Sequence, residues 1–166
     1  QARAHRARRD ALAARADEER ALHGRGGVHV DVADALVVLD HGDARVLDDV
    51  AERITLMPGA VALIRTMKAK GAYCALVSGG FTVFTARVAA VLGFDEHQAN
   101  TLEIADGRLT GRVLMPILGR EAKLAALNRL TAKLGLTADA TLAVGDGAND
   151  LAMLEAAGLG VAFRAK

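Results

Sequence analysis

Thr141 to Met153, TLAVGDGANDLAM, is the stretch that most narrows what this chain can become. Thr141 to Val144 is a short apolar run, too short for a helix and branched enough for a buried parallel strand. It breaks at Gly145-Asp146-Gly147, and a second carboxylate, Asp150, follows just where an apolar helical pattern of Leu151, Met153 and Leu154 begins. A strand, a glycine-bracketed acid and a helix start put Asp146 and Asp150 at the carboxyl edge of a sheet, where open α/β folds hold their ligands. Two carboxylates converging there repel unless a cation lies between them, and oxygen donors favour a hard ion such as Mg²⁺. The plainer alternative is a glycine-rich turn with an Asn/Asp helix cap.

A second strand-to-helix junction lies upstream. The run from Tyr73 to Val77 reads as a strand ending in Ser78-Gly79-Gly80, and Phe81 to about Leu92 reads as the following helix. Helix N-terminal amides beside glycines let an anion approach the backbone, and Ser78 adds a hydroxyl, so the junction reads as a phosphate cradle. Taken alone, Ser78 as a simple helix cap is the commoner case. Residues 120–134 form an amphipathic helix with Leu124, Leu127, Leu130 and Leu134 on one face. Lys123 falls in its first turn, where a cation opposes the helix dipole. That misfit points to a facing anion, against the default of a solvated lysine, which is how Lys70 and Lys133 are read.

The remaining segments supply the frame. Residues 1–25 hold seven arginines, no lysine and four acids in an Ala-rich context, which reads as a solvated helix. After the break at Gly24 to Gly27, Val28 to Val32 alternates like a half-exposed strand, and the stretch through Leu39 also fits a short amphipathic helix. From His41 the pattern gives a loop, a helix across Val46 to Ile54, and a second helix from Gly59 to Lys70 with Pro58 in its first turn and Gly71 at its end. Asn100 to Val113 alternates on both sides of Asp106-Gly107, a hairpin signal. Leu159 to Phe163 reads as a last short strand.

Composition excludes several classes. The 166 residues carry a formal charge of +1, which gives no general reason to expect nucleic acid or an acidic membrane as partner, and no apolar stretch is long enough to span a bilayer. Hydrophobic residues are 52% and aromatic ones 3%, so the core is aliphatic. Cys74 is the single cysteine, read as a buried structural thiol in a reducing, cytoplasmic setting. The N-terminus has charge but no apolar signal segment.

Taken in order, LMPGA, LVSGGF, ANTLEIADGRLTGRV, a lysine opening a helix, GDGANDLAM and AGLGVAF resemble the phosphoserine phosphatase branch of the haloacid dehalogenase superfamily, over about three quarters of the chain. The resemblance implies Mg²⁺-dependent hydrolysis of O-phospho-L-serine in serine biosynthesis. It implies that Ser78 and Gly79 hold the phosphoryl group, that Lys123 neutralises it, that Asp146 is the Mg²⁺ ligand, that Asn149 contacts substrate and that Asp150 orients the metal site. Family members attack phosphorus with the first aspartate of a DxDxT motif, and the aspartate two residues later protonates the leaving oxygen. This chain has no DxDxT. VHVDVAD, with Asp31, is the nearest imitation, but its spacing is three and no Ser or Thr follows, so ordinary surface carboxylates are the better reading. The cap arginine that would recognise the substrate carboxylate is not identifiable.

The expected architecture is α/β, three-layer, with a mainly parallel Rossmann-like sheet, an appended β-hairpin and a helical N-terminal segment. Residues 1–55 are read as an Arg-rich cap remnant and 56–166 as the phosphatase core. The sheet's usual centre is expected to be filled by Val28 to Val32 or by a second chain, which makes a homodimer an expectation. Three function classes follow: a phosphoserine phosphatase, a phosphate-ester-binding scaffold without turnover, and an Arg-rich nucleic-acid binder. The first leads, with a small phosphomonoester as the partner and neither nucleic acid nor membrane.

Overall fold

The structure is a computed structural model that describes residues 40–164. The Arg-rich segment, Val28 to Val32 and Asp31 lie outside the described residues. Strand β1 (Asp40–Asp43) leads into α1 (Val46–Glu52), α2 (Ala60–Ala69), β2 (Ala75–Phe81), α3 (Thr82–Leu92), β3 (Glu96–Ala105), β4 (Arg108–Leu114), α4 (Ala122–Leu134), β5 (Leu142–Gly145), α5 (Leu151–Ala156) and β6 (Leu159–Ala162). The strands form two sheets, one ordered β1-β4-β3-β2 and one pairing β5 with β6. Parallel ladders join β2 to β3 and β5 to β6, and antiparallel ladders join β3 to β4 and β4 to β1.

The α/β class and the hairpin follow from local chemistry. Asp106 and Gly107 have φ of 50° and 73°, the left-handed pair that a two-residue hairpin turn requires and that Asp-Gly adopts readily. Helix α4 stops at Gly135, φ 64°, whose conformation lets the Leu136 amide reach back to the Thr131 carbonyl at 2.9 Å. The stretch from His41, read as a loop, begins with β1 instead. Its residues pair with the outer strand of the hairpin, Asp40 opposite Thr110 and Asp43 opposite Arg108, a tertiary pairing that local propensity does not reveal.

The larger sheet holds the main apolar cluster, in which Leu47, Phe81, Leu102 and Leu109 are buried and Val83, Phe84 and Val113 pack against them. The smaller sheet corrects an expectation. Thr141 to Val144 reads as a buried strand, yet only Ala143 of β5 is buried, while Leu142 is 39% and Val144 42% exposed. The reason is topological: among the described residues β5 pairs with β6 alone. Helix α4 packs on both β2 and α5 and so bridges the two sheets. Cys74 is buried, as expected.

Candidate functional site

Strand β2 does not end where its sequence suggests. It continues through Ser78-Gly79-Gly80 to Phe81, and the register slips on the way: Val77 opposes Gln98 and Phe81 opposes Asn100. Three residues on β2 thus face Ala99 alone. Bulges of this kind re-aim side chains and recur beside active sites. The cradle expected at the α3 N-terminus is therefore a bulged strand edge, one residue before the helix. Within it the Gly80 amide donates to Ser78 Oγ at 3.0 Å, which leaves the seryl proton free to donate elsewhere among the described residues. A Cβ added at Gly79 would meet nothing within 4 Å, so the backbone there faces open space.

The bulge forms one wall of a hollow of about 180 Å³, lined by Ser78, Gly79, Leu118, Arg120, Lys123 and Asn149 among others. That is below the roughly 300–1,000 Å³ of pockets that enclose drug-sized ligands, and suits a small metabolite. Lys123 enters from the first turn of α4 and Asn149 from the loop between β5 and α5, so both sheets contribute.

The β5–α5 turn is built around Asp150, which is 2% exposed. Its side chain does not cap α5. One oxygen, Oδ2, instead accepts the backbone amides of Asp146 at 3.1 Å and Gly147 at 3.0 Å, and Oδ1 accepts the Lys123 ammonium. Burial pushes the Asp150 carboxyl up, but the Lys123 ammonium and the two amides outweigh it and leave it below the ordinary range. The glycines explain themselves sterically. A Cβ on Gly145 would lie 2.4 Å from Asp150 Cβ, and one on Gly147 would lie 2.6 Å from Asn149 Oδ1.

The cation at Asp150 is Lys123, while Asp146 is exposed at the end of β5. Among the described residues no three His, Cys, Asp or Glu side chains come together as a metal cluster. The donor set still suits Mg²⁺ in one respect, since that ion commonly takes one or two carboxylates and completes its shell with water and substrate phosphate. Asp146 can supply one such oxygen donor.

The sequence placed Ser78, Gly79, Lys123 and Asn149 in one site, and they line one hollow. Two contributors were not foreseen. Arg120, three residues before Lys123, adds a second cation to the lining, legible only once the helix start at Ala122 is known. Asn100, 4% exposed, lies under the bulge, and its place in an alternating strand pattern gave no sign of that. No carboxylate appears among the described residues that line the hollow. Lys133, read as solvated, is exposed and lies 3.6 Å from Glu96 and 5.5 Å from the centre of the Tyr73 ring.

The chain matches a family described as haloacid dehalogenase-like hydrolase over residues 1–155. It is 49% identical over 150 residues to a phosphoserine phosphatase of Streptomyces coelicolor, covering 90% of this chain and 34% of that protein. It is 51% identical over 123 residues to the phosphoserine phosphatase SerB2 of Mycobacterium tuberculosis, covering 74% of this chain and 30% of that protein. The chain thus spans about a third of the length of these curated relatives. The crystal structure of a probable phosphoserine phosphatase from Vibrio cholerae, in unliganded form, superposes with a TM-score of 0.76 at 40% identity, over 90% of this chain and 46% of that one. Among the described residues no helix is long and apolar enough to cross a membrane.

Proposed function

Because the chain belongs to the haloacid dehalogenase-like hydrolases and its kinship lies with their phosphoserine phosphatases, we propose that it carries the phosphate-binding and charge-neutralising part of a Mg²⁺-dependent phosphoserine phosphatase. The reaction is hydrolysis of O-phospho-L-serine to L-serine and phosphate. The observation that carries the reading is the hollow in which Ser78, Lys123 and Asn149 meet from three separate elements.

Each residue has a role that its surroundings support. The Ser78 hydroxyl, its oxygen already occupied by the Gly80 amide, directs its proton to a phosphoryl oxygen. Gly79 lets that oxygen approach the backbone. Lys123 has three ammonium protons and spends one on Asp150, which leaves the others to face the phosphoryl charge as it redistributes during transfer. Asp150 holds Lys123 in place and keeps the Asp146–Gly147 backbone folded, so it acts through its neighbours. Asn149 contacts the substrate from the turn between β5 and α5, and Arg120 adds positive potential from just before α4. Asp146 would hold Mg²⁺, which when bound polarises phosphoryl oxygens and offsets their charge.

A second reading has its own support: no carboxylate lines the hollow among the described residues, so these residues bind a phosphate ester without attacking phosphorus. Phosphate release from phosphoserine, assayed with Mg²⁺ and again after chelation, separates the two. Turnover that disappears on chelation supports the phosphatase. Saturable phosphoserine binding without turnover supports the binding protein, and absence of both contradicts the assignment of the hollow. Asp31→Asn bears on the nucleophile, since full activity in that variant dismisses Asp31.

A further inference from the structure

We infer that Asn100 is a positioning residue that shapes the phosphate hollow by tying together two of the segments that line it. The inference rests on the phosphate-ester reading above. Asn100 lies on β3 opposite Phe81, directly after the residue that faces the bulge. Its side chain is buried, and both ends of its amide are in use. Nδ2 donates to the Gly79 carbonyl at 2.8 Å, and Oδ1 accepts the Leu118 backbone amide at 2.6 Å. This is the only orientation of the amide that pairs a donor with the carbonyl and an acceptor with the N–H. Gly79 and Leu118 both line the hollow and come from separate segments, one from the β2 bulge and the other from the stretch between β4 and α4. That segment leads within five residues to Lys123.

The two bonds do something that packing alone does not. A three-residue bulge of which two residues are glycines has few side chains to fix its path, and the segment from Met115 to Glu121 has no ladder of its own among the described residues. The Asn100 amide gives each one directional anchor and makes the two anchors a single rigid group. Ser78, in the bulge, and Lys123, five residues beyond Leu118, are thereby held at a spacing that an anion of fixed size can bridge. Sites held to within about half an ångström need support of this kind from groups that never touch the ligand.

Isothermal titration of inorganic phosphate into the full chain, at a temperature where far-UV circular dichroism shows each variant folded, tests the assignment. Asn100→Ser removes both ties without adding charge, and Asn100→Leu removes them with an apolar side chain of similar size. If Asn100 acted only on stability, either variant would melt earlier yet bind phosphate in its folded state with the wild-type dissociation constant. The positioning role predicts a dissociation constant raised about tenfold or more in both, as a misplacement of order 1 Å weakens an oriented site. It further predicts that the phosphate-induced shift of the Gly79 amide signal in the NMR spectrum is lost. Wild-type affinity in a folded variant overturns the role of Asn100 and leaves the phosphate-ester reading intact. A wild-type chain that binds no phosphate overturns both. Should one variant fail to fold, the other decides.

Discussion

The two sheets differ in how far each completes itself. In the larger one, Leu109 is 1% and Leu102 8% exposed, and the hairpin, β2 and α1 contribute to the same cluster. In the smaller one, Leu142, Val144 and Leu159 are between 39% and 56% exposed, though both of its strands are apolar in sequence. The larger sheet is therefore a framework, while the smaller is held through its helix and its turn. Helix α5 lies close on β6, where a Cβ on Gly160 would come within 2.3 Å of the Leu154 carbonyl, and the Lys123–Asp150 pair ties the β5–α5 turn to α4. The ligand hollow falls at that junction, where rigidity comes from few and specific contacts.

That contrast can be broken most severely at the junction. Replacing Lys123 by Met leaves the Asp150 carboxylate buried without its ammonium, and losing one partner of a buried pair costs about 3–5 kcal/mol. Urea unfolding is expected to show a loss of that order, together with loss of phosphate binding. A stability change below 1 kcal/mol would mean that the pair does not tie the sheets together.

The next effect compares the sheets directly. Leu109→Ala removes a fully buried side chain of the larger sheet and is expected to cost about 2–5 kcal/mol. Leu142→Ala, on the half-open β5, is expected to cost under about 1 kcal/mol. Equal losses in thermal melts of the two variants would contradict the contrast between the sheets. Glycines give a smaller contrast. Gly160→Ala forces the α5 backbone to move, at about 1–3 kcal/mol, whereas Gly79→Ala meets open space and stays within about 0.5 kcal/mol.

The smallest effect is a pH dependence at the start of β3 in the larger sheet. Asp95 accepts the Cys74 amide at 2.8 Å and the Lys68 ammonium, and these two, in that order, hold its carboxyl below the ordinary range. A depressed folded value adds stability that is fully present above the unfolded pKa of about 3.9 and is lost as pH falls through the lower folded value. Urea midpoints of the wild type and Asp95→Asn should differ at pH 6 and converge toward pH 2. A gap that persists unchanged at pH 2 would assign the effect to something other than the carboxylate.

The sequence reading succeeded where local chemistry decides and failed where partners decide. The Asp106-Gly107 hairpin, the helix stop at Gly135 and the Gly145-Asp146-Gly147 break were legible because each depends on backbone conformation or a steric limit within a few residues. The meeting of Ser78, Lys123 and Asn149 was legible only through a resemblance that joins distant motifs. Strand β1 escaped because Asp40 to Asp43 has no strand-like pattern and is recruited by β4. The exposure of β5 escaped because its apolar run says what it prefers and not what lies beside it. The Lys123–Asp150 pair escaped for a related reason: its partners stand 27 residues apart, and no local pattern joins them.

The most direct test is a titration of the isotopically labelled chain with phosphoserine, followed through its amide NMR signals. Ser78 and Gly79 on the framework and Lys123 and Asn149 at the junction should shift together and saturate with one dissociation constant. Shifts confined to one of these groups, or separate constants for the two, would contradict a single hollow built by both sheets.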